Sequence, residues 1–83
     1  MLMKAFSVRD AKTEAFMQPF FCVTKGIALR SFGDEVQRSG SEFAKHPEDY
    51  SLFYVGDFDD ALGAFIPAPQ AEQISLALDH VKV

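Results

Sequence analysis

The apolar residues of this chain change their period twice, from two to about four and back to two, and few folds other than an α+β domain accommodate that order. Near the start, Phe6 and Val8 alternate with Ala5, Ser7 and Arg9, the signature of a strand with one buried face. "AKTE" then reads as a turn. "AFMQPFFCV" reads as a second strand of an antiparallel hairpin, with an irregular or edge-like spot at Pro19, which has no N–H to give a ladder. From Thr24 onward Ala28, Phe32 and Val36 recur every four residues, with Ile27 and Leu29 beside them. Thr24 is the expected N-cap and Gly40 the expected stop, with Arg30/Asp34 and Asp34/Arg38 as i,i+4 ion pairs. "SEFAKH" adds a turn capped by Ser41. "YSLFYVGDF" and "GAFIPA" form a second hairpin across "DDAL". Ile74, Leu78 and Val81, with Leu76 and Ala77, follow Pro69 at helical spacing and predict a second helix within "PQAEQISLALDHV". The expected order is ββαββα, an antiparallel sheet of two hairpins with two helices, in a single domain over residues 1–83 without a linker.

At 83 residues the chain lies near the lower limit for folding alone, since a domain this small buries only about 60% of its unfolded surface. Phe20 with Phe21, and Leu52 to Val55, place large apolar groups on both faces of their strands. Helices on one face would cover only one set, so a homodimer or higher symmetric oligomer is expected. One cysteine, Cys22, excludes an internal disulfide and a thiolate metal cluster, which suits a reducing intracellular setting. "MLMKAFSVRD" resembles neither a signal peptide nor a membrane span, so a soluble protein with no membrane partner is expected.

Candidate chemistry is sparse. Counted from Asp57, the aspartate turn places Ala61, Leu62 and Ala68 at positions where a calcium loop needs a ligand, a glycine and a glutamate. Its aspartates read instead as caps on turn amides, with Gly63 supplying a positive φ. His46, Glu48, Asp49 and His80 fall into no ligand or nucleophile spacing, and "HPED" reads as a rigid acidic approach to a strand. Cys22 lies between Phe21 and Val23, the setting of an inert buried thiol. No catalytic residue, metal or cofactor is expected, and the chain does not read as an enzyme.

Charge is uneven. The formal net charge is −4, but residues 1–45 carry seven basic groups against five acids, and residues 46–83 carry Lys82 against seven acids. Arg9, Lys12, Lys25 and Arg30 accompany several phenylalanines, and cations beside stacking rings are what holds single-stranded nucleic acid. A solvated charged face over an ordinary phenylalanine core is the plainer account of the same residues.

The motifs "SVRDAKTEAFMQPFF", "ALRSFGDEV" and "HPEDYSLFYVGDFDDALG" extend over nearly the whole chain. In their order and spacing they resemble the small nonstructural protein of microviruses, in particular the gokushovirus branch. The matching positions are Arg9, Lys12, Pro19, Phe20, Phe21, Arg30, Phe32, the run His46 to Tyr50, Gly56, Asp59 and Gly63. The resemblance implies a phage protein of the infected host's cytoplasm, absent from the mature virion, acting in the switch from genome replication to single-stranded DNA packaging. Phe32, Pro47, Gly56 and Gly63 have structural jobs, whereas Arg9, Lys12 and Arg30 have none. The expected DNA-binding set is therefore Arg9, Lys12, Lys25, Arg30, Phe20 and Phe21, with Phe16 also available for stacking. The alternative is a protein-interaction module that engages the phage replication initiator or procapsid through the acidic second half.

Overall fold

The computed structural model describes residues 1–81. Strand β1 (Leu2–Asp10) runs through the middle of a single antiparallel sheet. It pairs on one side with β4 (Tyr50–Asp59) along its whole length, and β5 (Ala64–Leu76) lies beyond β4 as the outer strand. On its other side β1 holds two short pieces, β2 (Ala15–Phe16) and β3 (Phe20–Cys22), where one continuous strand was expected. Pro19 accounts for the interruption, although the Met17 amide still donates to the Val8 carbonyl at 2.8 Å.

Helix α1 (Lys25–Gln37) starts where the period changes, and the Thr24 hydroxyl caps it by accepting from the Ile27 amide at 3.2 Å. The expected Arg30/Asp34 and Asp34/Arg38 pairs give way to a bidentate Arg38–Glu35 contact one turn apart. Ser41 opens the short α2 (Glu42–Lys45) by accepting from the Ala44 amide at 3.0 Å, and Pro47–Asp49 forms one 3-10 turn before β4.

Ala28, Phe32 and Val36 of α1 pack on Phe6 and Val8 of β1 and Leu52 of β4, with Ala77 closing the cluster. Phe6 and Leu52 are wholly buried, and truncating Leu52 to alanine would cost about 2–5 kcal/mol. Phe43 of α2 joins this core through Phe32 and Tyr50, with ring centroids 5.7 and 4.6 Å away. Both helices therefore serve one face of the sheet.

The expected second helix is replaced. Residues 69–76 continue β5, and only Ala77–His80 turn, as a 3-10 segment. Pro67 and Pro69 are accommodated because β5 is an outer strand with no further ladder to feed. The observed order is thus three strands, two helices and two strands, not ββαββα. Both margins of the sheet are poor templates for another strand, one made of two- and three-residue pieces, the other carrying prolines and two register shifts.

Candidate nucleic-acid interface

Among the described residues, strand alternation divides the sheet into a face under α1 and a face with no helix. Along β1, Phe6 and Val8 point to α1, so Met3, Ala5, Ser7 and Arg9 lie on the other side. Their register partners share that side: Phe16 and Ser51 opposite Arg9, Phe53 opposite Ser7, Phe21 opposite Ala5, and Phe58 opposite Met3. Phe65 lies opposite Phe58.

Phe53 and Phe58 are five residues apart and by simple alternation would face opposite ways. Their common side comes from a bulge, because Ala5 pairs with Gly56 and Phe6 with Tyr54, which leaves Val55 as an inserted residue that resets the alternation. Five phenylalanines consequently share the helix-free face in two clusters. Phe16 and Phe53 meet edge to face at 5.2 Å. Phe21, Phe58 and Phe65 form the second cluster, with centroid separations of 4.8 to 6.0 Å. Phe16, Phe21 and Phe65 are 46%, 40% and 66% exposed, so the rings are presented to solvent and not sealed into a core.

Charge divides along the same line. Among the described residues, register places all four strand carboxylates, Asp10, Asp57, Asp59 and Glu72, on the α1 side, and Arg9 on the phenylalanine side. Lys12 lies exposed in the turn after β1, its amide held by Asp10 Oδ1 at 2.9 Å. An anionic polymer laid on this face meets rings and cations without facing a strand carboxylate.

Of the residues singled out from sequence, Arg9 and Phe21 share this face, Arg9 beside Phe16 in the first cluster and Phe21 in the second, with Lys12 at the adjacent turn. The others lie elsewhere. Phe20 packs against Phe6 at 5.9 Å on the α1 side. Arg30 is exposed on α1. Lys25 reaches from α1 to Glu72 at 2.9 Å, and its ammonium, like that of Lys4, lies over the Tyr54 ring, at 5.4 and 5.7 Å. The Tyr54 hydroxyl donates to Asp57 Oδ1 at 2.8 Å, and this bond, reinforced by burial and by the charges of Asp57 and Glu72, raises the phenol above its ordinary value. Phe53, Phe58 and Phe65 were missed: Phe58 and Phe65 are partners across the second hairpin, but only the bulge puts Phe53 on their side, and Gly56 was its one visible trace.

The acidic second half is spent largely on its own chain. Asp57 takes the Tyr54 hydroxyl, Glu72 takes Lys25, and Asp60 takes the terminal amine at 2.6 Å. Asp59 caps its turn by accepting from the Ala61 amide at 2.9 Å, and Gly63 adopts φ 66°. His46, Glu48 and Asp49 bring ligand-type atoms within 4.8 Å of one another on an exposed 3-10 turn. Burial raises the Cys22 thiol above its ordinary value. Among the described residues no helix is long and apolar enough to cross a membrane.

No curated protein and no solved structure matches the chain. A family model described as Phage ORF5 protein matches residues 3–80, nearly the whole length over which the rings, the bulge and Arg9 are distributed, and the chain belongs to that phage protein family.

Proposed function

We propose that this protein binds single-stranded DNA on the helix-free face of its sheet and so takes part in replicating or packaging a phage genome. The observation that carries the reading is the coincidence of two separations on one surface: the exposed rings gather where the strand carboxylates are absent, and Arg9 lies among them. Rings stack on any base and a guanidinium holds phosphate, so binding of this kind is weak and tolerant of sequence. Membership of a phage family supports the genome as the ligand.

Fluorescence anisotropy of a labelled oligothymidylate, titrated with protein and then with salt, tests the reading. Micromolar binding that weakens steeply with salt is expected, as is a drop of about tenfold or more on replacing Phe16 and Phe53 together with alanine. No binding at low salt overturns it, and tighter binding to RNA of the same sequence reassigns the ligand.

In DNA-free protein the same apolar face suits a second copy of the chain, because a ring 66% exposed, as Phe65 is, gains from any cover. Such a dimer would dissociate as oligonucleotide is added. Sedimentation velocity with and without DNA distinguishes this from a dimer formed through another surface, which would persist.

A further inference from the structure

Beside the second ring cluster a cavity of about 220 Å³ opens at the β4 bulge, lined in part by Ala5, Pro19, Val55, Phe65 and Pro67. Three features of the chain produce it. The bulge inserts Val55, the absent side chain of Gly56 lets the β5 backbone close to form one wall, and Pro19, in the gap between β2 and β3, forms another. The side chains named are all apolar. Asp57 also borders the cavity, but register turns its carboxylate to the α1 side, where the Tyr54 hydroxyl holds it.

We infer that this cavity receives one unpaired base of the bound strand, inserted against Phe65 while neighbouring bases stack on the remaining rings. The inference rests on the single-stranded DNA reading and names where on that face one base is held. Size supports it: a cavity of about 150 Å³ accommodates benzene, whereas pockets for larger organic ligands start near 300 Å³. Position supports it too. Phe65 both lines the cavity and packs on Phe58 at 4.8 Å, so a base entering there continues the stack. Arg9 lies four residues along β1 from Ala5, about 14 Å away, which leaves room for a strand to cross from the cavity to the Phe16–Phe53 cluster. With apolar side chains around it, the base is held by shape and stacking and not by its hydrogen-bonding edge.

Photo-cross-linking of an oligothymidylate carrying 5-iodouracil, followed by mass spectrometry of the peptides, reads the position directly on the wild-type protein. Cross-links at Phe65 are expected, accompanied by lesser ones at Phe16 or Phe53. The variant Val55→Phe, which fills the cavity, should lower affinity about tenfold, the equivalent of one stacked base, and remove the Phe65 cross-link. Binding with cross-links confined to Phe16 and Phe53 overturns the cavity inference and leaves the DNA reading standing, as does a folded Val55→Phe protein that binds within twofold of wild type. Absence of any oligonucleotide binding overturns both.

Discussion

The carbonyl oxygen of Ile66 lies 2.6 Å from the point where a side chain on Gly56 would place its Cβ, and Pro67 Cα lies 3.0 Å from it. Gly56 also has φ 154°, a region L-residues rarely enter. Both obstacles are backbone, so neither can swing aside. Gly56→Ala should therefore cost about 3 kcal/mol, lowering the melting temperature by 10 °C or more for a domain of about this size. Gly63→Ala is the comparison: its φ of 66° carries a penalty, but nothing lies within 4 Å, and about 1 kcal/mol is expected. Thermal melts followed by circular dichroism rank the two, and equal effects would refute the close-approach account.

Glycine at position 33 of α1 has a different reason. A Cβ there would come 2.9 Å from Nδ1 of His80, whose ring stands edge-on to Phe32 at 5.6 Å and whose Nε2 lies 2.8 Å from the Ser75 hydroxyl. Alanine in a helix interior ordinarily gains up to about 1 kcal/mol over glycine. Here Gly33→Ala should be neutral or destabilising, and the same replacement in a His80→Ala background should restore the gain. Urea denaturation of the four proteins in the cycle measures the coupling.

The Arg38 guanidinium, which donates to Glu35 through Nε and Nη2, lowers that carboxyl below its usual value. A depressed carboxylate contributes stability above its unfolded pKa of about 4.3 and loses it as pH falls through the folded value. Both partners are well exposed, so solvent screening keeps the contribution of the pair small. Glu35→Gln should therefore lower stability slightly at pH 7 and leave it unchanged at pH 2, as read from paired denaturation curves.

Cations on the two sides of the sheet should behave differently toward DNA. Lys25 is committed to Glu72 and Tyr54 beside α1, so Lys25→Ala should leave oligonucleotide affinity within about twofold. Arg9→Ala should weaken binding and flatten the slope of log affinity against log salt by about 0.7 for each phosphate that is no longer neutralised. The reverse ranking, measured by anisotropy, would move the binding surface to the α1 side.

How much of this was legible in the sequence depends on how regular each segment is. β1 and α1 were visible because Phe6/Val8 and Ala28/Phe32/Val36 keep their periods without interruption, and Thr24 and Ser41 are caps whose chemistry is local. Residues 69–76 were misread as helix because β5 is irregular: Leu52 pairs with Ser75 but Phe53 with Gln73, so Ile74 is an inserted residue. That insertion, with Ala77 just beyond it, turns a period of two into an apparent three or four. The candidate face was only half legible for the same reason. Arg9 and Phe21 follow from simple alternation, whereas Phe53 and Phe58 share a side only through Val55.

The short strands at one margin and the prolines at the other have a consequence for how the molecule meets its surroundings. Neither margin offers a neighbouring copy a long regular row of backbone groups, so copies crowded together are poor templates for lengthening one another's sheet into a fibre. The exposed rings are gathered on one face of the sheet, so whatever covers that face once hides most of them together.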